Sequence, residues 1–330
     1  MHPAGPSTAR GALAPEVEAS LARELTRLCG DPAADPAGFV ARSFALDPGA
    51  FLRRMPRRET FAPTRGLVVK RFQGDVWREW CHEWRRTWAG GGERRSPARR
   101  EFENLRALRA LGLEVPGPIA WAEERANWRP PIGGAGRSVL AMAEVPHAEN
   151  LRQRLVREGG AGARDWGRSL AAFVARLHGA HWFHRDLYLQ HFVVLEPRDG
   201  RERRLALFDC GRARRLEPVP LRWIVKDLAQ LLHSTPACVG PRARLEFVAR
   251  YRRLRGGELG LEPRRLLARI QAKARRIAAH APRHVDPRTA GAEDDWPRPP
   301  AKSSGIGPPS VIGEASRPAP KASSIGEARP

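Results

Sequence analysis

The sequence is poor in cysteine. Its four, Cys29, Cys81, Cys210 and Cys238, are scattered over 330 residues and form no Cys-x-x-Cys pair. That spacing argues against a disulfide framework and a zinc ribbon, and reads as reduced thiols in a cytoplasmic setting. No run of about 18 apolar residues occurs, so no segment is expected to span a membrane. The opening Met1-His2-Pro3-Ala4-Gly5-Pro6 lacks the apolar core of a signal peptide. Acidic residues are scarce as well: 36 Asp+Glu against 58 Lys+Arg give a formal net charge of +22. Such a surplus favours anionic partners, namely phosphate, nucleic acid or an acidic membrane surface. The basic residues are spread along the whole chain, and an Arg-rich compositional bias accounts for them equally well.

What the chain does contain is organised in three parts. Residues 1–36 are rich in Ala, Pro and Gly and carry one amphipathic piece, Val17 to Leu28; they read as a loosely ordered segment. Residues 284–330 are rich in Pro, Ser, Gly and Ala and hold an imperfect repeat, Ile312-Gly313-Glu314-Ala315 and Ile325-Gly326-Glu327-Ala328. Such a tail buries too little apolar surface to order itself. Between them, residues 37–283 read as one folded domain, with one lobe expected over about 37–143 and a second over about 144–283.

In the first lobe, Gly66-Leu67-Val68-Val69-Lys70-Arg71-Phe72 reads as a strand. A helix follows, with Ser96 as N-cap, Pro97 at its first position, a Leu105-Leu108-Leu111 stripe and Gly112 as its stop. Val139 to Ala143 is an apolar run ending at Glu144. Residues 163–181 have Trp166, Leu170, Phe173, Val174 and Leu177 at helical spacing, and helices dominate from Leu221 to about Ala281. Strands early and helices late predict an α+β chain with a small β-rich lobe and a larger helical one.

The chemistry concentrates in His184-Arg185-Asp186-Leu187-Tyr188-Leu189-Gln190-His191 and Leu207-Phe208-Asp209-Cys210-Gly211. Two apolar runs, Phe192–Leu195 and Leu205–Phe208, lie between, separated by a polar stretch with the turn signal Asp199-Gly200. Phosphoryl transfer uses one carboxylate to orient a hydroxyl and another to hold magnesium on ATP phosphates. Asp186 suits the first role. Asp209 suits the second, with the hard oxygen ligand that magnesium prefers. Lys70, ending its apolar strand, would reach the nucleotide phosphates, and Glu101, on the Leu105-Leu108 face, would pair with it; Glu103 points to another face. Glu144 is grouped with Lys70, Glu101 and Asp209 as a cofactor-binding candidate.

These motifs resemble the catalytic loop and Asp-x-Gly segment of protein-kinase-like enzymes. Together with Val225-Lys226-Asp227-Leu228-Ala229-Gln230-Leu231-Leu232-His233-Ser234, the chain over roughly 45–280 resembles the bacterial lipopolysaccharide core heptose kinases. The marker is His191, five residues after Asp186, where most protein kinases have Asn. The resemblance implies a bilobal kinase fold and ATP- and Mg²⁺-dependent phosphorylation of an inner-core sugar of lipopolysaccharide, with heptose expected. It also implies a cytoplasmic enzyme working at the inner membrane face, with a glycolipid acceptor and an anionic membrane surface as partners. Asp227 would brace the catalytic loop. A kinase of a protein hydroxyl or another small molecule, and a silent kinase-like binding module, are the competing readings.

The sequence departs from the kinase pattern at two places. No Gly-x-Gly-x-x-Gly precedes Lys70, and only Pro48-Gly49 and Arg57-Arg58-Glu59-Thr60 offer a phosphate-covering loop. Cys210 replaces the aromatic of Asp-Phe-Gly, which argues against an aromatic inactivation switch. His178, His181, His184 and His191 do not have zinc spacing. His191 is grouped with Asp209 as a metal candidate, but imidazole is a poor magnesium ligand, so support of the loop or of a phosphate stands beside that role. Trp77, Trp80, Trp84 and Trp88 share a helical stripe near Arg78, Arg85 and Arg86. It reads as core packing on the small lobe or as an interfacial helix, and its lack of alternation disfavours nucleic acid.

Overall fold

In the computed structural model, residues 15–49, 51–74, 95–124, 136–146, 149–197, 203–256, 260 and 262–279 are described. The strand predicted around Lys70 is the centre of the first lobe. It is β3 (Leu67–Gln73), flanked in the order β1-β2-β3-β5-β4 by β1 (Phe51–Met55), β2 (Arg58–Thr64), β5 (Arg137–Ala143) and β4 (Pro118–Glu123). Neighbouring strands are antiparallel, with Lys70 opposite Thr60 on β2 and Leu140 on β5.

Side chains alternate across a strand, and the alternation sorts β3 into two cores. Leu67 and Val69 join Val139 and Ala141 on one face; Val68 and Phe72 join Leu140 and Met142 on the other. Lys70 therefore points with Val68 and Phe72 towards the second lobe.

The first face is covered by two helices, α1 (Pro15–Cys29) and α2 (Pro36–Ala45). Leu25, Cys29, Phe39 and Val40 are buried against it. Asp35 caps α2 by accepting from Gly38 N at 2.8 Å, and Glu18 pairs with Arg109 at 2.5 Å. The expectation of a loose segment over 1–36 is thus corrected for residues 15–36. The amphipathic Val17–Leu28 piece has an apolar sheet face to bury against, and that face is contributed by residues distant in sequence.

Helix α3 (Pro97–Ala110) packs on the other face through Ala98, Leu105 and Leu108. Ser96 caps it, accepting from Arg99 N at 3.2 Å, and Pro97 takes the first turn. Gly112 ends it with a φ of 69°, a left-handed geometry that glycine adopts without a Cβ penalty.

The second lobe begins with α4 (Leu151–Arg157) and α5 (Ala163–Gly179). The short strand β6 (Trp182–Phe183) leads into the Asp186 segment. The hairpin β7 (Phe192–Leu195) and β8 (Arg204–Leu207) follows, Phe192 facing Leu207; Asp199-Gly200 lies outside the described residues. Beyond β9 (Arg214–Arg215), which pairs with β6, come α6 (Leu221–Ser234), α7 (Pro241–Leu254) and α8 (Pro263–Ala278). Helices α4 to α8 enclose an apolar cavity of about 670 Å³ lined by Leu151, Trp166, Leu170, Leu231, Ile270 and Ala274 among others. The tryptophan stripe at 77–88 and the tail 284–330 lie outside the described residues.

Candidate active site

The Asp186 segment rests on α6. Asp227, with no exposed surface, accepts from the backbone N–H groups of His184 at 2.6 Å and Arg185 at 2.8 Å. One turn on, Gln230 accepts from Leu187 N at 3.0 Å and donates to Arg185 O at 3.1 Å. Ser234 then accepts from Leu189 N at 2.9 Å. Positions i, i+3 and i+7 fall on one helix face, so three polar residues of a largely apolar helix hold four amides of the loop. Asp227 sits in the second turn of α6. Buried His178 lies beside it, its Nε2 3.4 Å from Asp227 Oδ2 and its Nδ1 2.7 Å from the Tyr251 hydroxyl.

The bracing fixes a backbone that ordinary residues avoid. Arg185 has a φ of 70° and Asp209 a φ of 56°; left-handed non-glycine residues persist only where their surroundings over-determine them. The Asp186 side chain is partly exposed at the cleft, with Arg212 Nη1 3.5 Å away. The Asp186 carbonyl meets His191 Nδ1 at 2.7 Å. A carbonyl can only accept, so Nδ1 carries a proton and donates it to this bond. His184 is fully buried. Burial and the adjacent His191 push its pKa down, which keeps its ring neutral.

Across the cleft, Lys70 Nζ and Glu101 Oε1 lie 2.6 Å apart, both buried. Glu103, the neighbouring alternative, instead pairs with Arg99 at 2.9 Å and Arg95 at 2.7 Å on another face of α3. The same helix reaches the segment after Asp209. Asn104 donates to the carbonyls of Cys210 at 2.8 Å and Ala213 at 3.1 Å, and Arg100 donates to Gly211 O at 3.0 Å. A Cβ on Gly211 would sit 3.2 Å from Glu101 Oε2. Cys210 is buried in the core, and burial pushes its thiol well above the ordinary range.

Asp209 is the electrostatic focus. Burial alone would raise its pKa, but the Lys70 and Arg58 cations outweigh burial and hold its carboxyl well below the usual carboxylate range. Arg58 Nη1 lies 3.0 Å from Oδ1 and Nη2 3.3 Å from Oδ2, and Arg53 Nη1 lies 4.0 Å from Oδ2. Both arginines belong to the β1–β2 hairpin, whose turn is Pro56-Arg57. Of the two loop segments considered from sequence, Arg57–Thr60 therefore contributes to the cleft through Arg58. Gly49 lies before β1, its N–H bonded to Asp47.

An ionised, partly accessible carboxylate is the donor a magnesium ion takes, with nucleotide phosphates and water supplying its remaining ligands. Asp209 fits that role. Among the described residues, no three His, Cys, Asp or Glu side chains gather into a metal cage. His191 uses its Nδ1 to hold the loop through the Asp186 carbonyl. Glu144 uses its carboxylate to accept from Gly66 N at 3.1 Å at the β2–β3 turn. Sequence reading assigned no role to Gln230, Ser234, Asn104 and Arg100. Polar residues spaced three and seven beyond Asp227 were the visible signal for the first two; the α3 pair had none.

Comparison with known proteins follows the same outline. The profile of the lipopolysaccharide kinase (Kdo/WaaP) family matches residues 53–251, more than half of the chain. The lipopolysaccharide core heptose(I) kinase WaaP of Pseudomonas aeruginosa is 26% identical over 205 residues, covering 57% of this chain and 72% of that protein. A WaaP of Escherichia coli is 31% identical over 153 residues, 42% of this chain and 53% of the relative. A solved structure of WaaP in complex with acyl carrier protein superposes with a TM-score of 0.55 at 25% identity, covering 76% of this chain and 95% of that one. The five-stranded antiparallel sheet followed by a mostly helical lobe is the kinase-like fold of these neighbours.

Proposed function

The chain belongs to the lipopolysaccharide kinase (Kdo/WaaP) family, and on that premise we propose that it transfers the γ-phosphate of ATP to a hydroxyl of a lipopolysaccharide inner-core sugar, heptose first. The observation that carries the reading is the buried Lys70–Glu101 pair set beside the ionised Asp209. A lysine held by a buried glutamate keeps its charge and position, which is what a phosphate-binding cation needs.

Each residue then has a task. Lys70 holds the nucleotide phosphates and Glu101 fixes Lys70. Asp209 holds the metal. A magnesium ion there supplies neutralisation of the phosphate charge when bound. Asp186 orients the sugar hydroxyl and takes its proton as the phosphoryl group leaves ATP. It need not be a strong base, because positioning and electrostatics dominate phosphoryl transfer. His191 keeps the Asp186 backbone in place through its Nδ1–H. Arg212 lies beside Asp186 at the acceptor side of the cleft, where it can meet an anionic group on the acceptor.

No helix among the described residues is long and apolar enough to cross a membrane. We propose that the enzyme meets its glycolipid at the cytoplasmic membrane face from the cytoplasm, with the positive charge attracting an anionic surface. An acyl carrier protein is a second proposed partner. The solved WaaP is a complex with one, and the 670 Å³ apolar cavity of the helical lobe suits an acyl chain. Co-elution with acyl carrier protein on size-exclusion chromatography is expected; separate elution removes that partner.

The deciding experiment is transfer of labelled phosphate from ATP, run in parallel on core oligosaccharide, lipopolysaccharide and a generic protein. Label on the core sugar is expected. Label on the protein alone would replace this reading with that of a protein kinase.

A further inference from the structure

A glycine-rich loop holds phosphates with backbone N–H groups, and glycines let the phosphates come close. The β1–β2 hairpin covers the same cleft without that chemistry. Its turn follows Arg53-Arg54-Met55 with Pro56-Arg57-Arg58. Pro56 has no N–H to offer. The hairpin instead directs two guanidinium groups at Asp209, Arg58 through both terminal nitrogens and Arg53 at 4.0 Å.

We propose that Arg58 and Arg53 are the phosphate-gripping groups of this kinase, replacing the backbone cradle of a glycine loop with guanidinium side chains that bind the β- and γ-phosphates of ATP. The inference rests on the kinase reading above. Three arguments on charge and shape lead to it. Glu101 already neutralises Lys70 and Arg212 faces Asp186, so Arg53 and Arg58 together on Asp209 leave a surplus of positive charge, the complement of a triphosphate. Arg58 is only 22% exposed and Asp209 20%, so the charges meet in a sheltered cleft where they are weakly screened. The guanidinium fork matches phosphate oxygens in pairs as it matches carboxylate oxygens. A metal on Asp209 would take up the carboxylate that Arg58 now contacts, freeing Arg58 for the phosphates carried by the same metal. The hairpin thus has an internal partner when no nucleotide is bound and a stronger anion when one is.

Calorimetric titration of the full chain with ATP, ADP and adenosine, each with Mg²⁺, tests the assignment. Adenosine lacks phosphates and reports the fold and the base pocket alone. In wild type, ATP should bind more tightly than adenosine. Arg58→Gln should weaken ATP by about tenfold or more, the loss of a charge-assisted pair, while adenosine is unchanged. Arg58→Lys should fall between, and Arg53→Gln should show a smaller loss of the same pattern. If Arg58→Gln binds ATP as well as wild type or better, Arg58 only blocks Asp209 and the proposal fails. If Arg58→Gln loses adenosine binding too, Arg53→Gln decides, and loss of adenosine in both would assign the hairpin to folding and overturn the proposal. Wild-type protein that binds adenosine and ATP equally would sink this inference alone. Wild-type protein that binds neither would sink the kinase reading with it.

Discussion

The loop that carries Asp186 is tied down by side chains buried along one helix, whereas the hairpin that reaches Asp209 meets it through guanidinium groups in the cleft. Asp227, Gln230 and Ser234 bond backbone amides of the loop from below, and each is less than 9% exposed. Arg53 is 45% exposed in its side chain and meets only charge. Amide bonds to buried partners are costly to break, since a donor left bare in the interior loses its solvation as well. A guanidinium in a cleft can exchange one anion for another without being left bare, because phosphate and carboxylate oxygens fit the same fork. The floor of the site is built to stay and its roof is built to change partners. That division suits phosphoryl transfer, in which the acceptor-orienting acid keeps one position while nucleotide enters and leaves.

The most damaging way to break the comparison is at the floor. Asp227→Ala should destabilise the fold by about 4 kcal/mol, because two loop amides lose a charged acceptor in a dry interior. Urea denaturation measures it. A loss below about 1 kcal/mol would mean that the loop holds itself.

Next comes the buried pair between floor and roof. Lys70→Met alone should cost about 3 kcal/mol, since Glu101 is left as an uncompensated charge, while Lys70→Met with Glu101→Met should regain most of it. Both should abolish phosphate transfer. Thermal melts beside the labelled-ATP assay separate the two effects; a double variant no more stable than the single would argue against a charge-burial cause.

Gln230→Ala, which strands one amide donor and one carbonyl, should cost about 2 kcal/mol and lower turnover without changing ATP affinity. A change in ATP affinity as large as the change in turnover would erase the distinction between the two regions.

The roof pair should show itself in pH. The Asp209 carboxyl titrates lower in the folded chain than in the unfolded one. Its contribution is therefore fully present above the unfolded carboxylate value near pH 4 and is lost as pH falls towards the folded value. Wild type should exceed Asp209→Asn by about 1 kcal/mol from pH 5 to 8, and the gap should close in stronger acid. A gap that widens in acid would reverse the sign.

Smallest is the control on α3. Glu103→Gln breaks pairs with Arg95 and Arg99 at a partly exposed position and should cost less than about 0.5 kcal/mol with no loss of transfer. If it proves worse than Glu101→Gln, the role given to the buried pair is wrong.

Local signals carried the sequence reading furthest. Ser96-Pro97 and Gly112 bounded α3 closely enough to set Glu101, and not Glu103, on the inward face. The apolar run Leu67–Val69 marked the strand that carries Lys70. Asp186 and Asp209 announced themselves through the apolar hairpin between them. What escaped was whatever depended on a distant partner. Residues 15–36 look loose until the sheet face they cover is known. Asn104 and Arg100 act on carbonyls more than a hundred positions away, at Cys210, Gly211 and Ala213. The hairpin arginines looked like part of a general excess of base, and only folding sets two of them on one carboxylate.

The placement of α1 and α2 bears on where this protein can be divided. The family match begins at residue 53, inside β1 and after both helices. A fragment cut there would keep every candidate catalytic residue, yet lay Phe61, Leu67, Val69, Val139 and Ala141 bare to water on the back of the sheet. Such a flat apolar surface invites self-association. The start of the family match and the start of the folding unit therefore differ by at least the 38 residues from Pro15 to Leu52. For this chain, the recombinant domain worth expressing begins before the family match does.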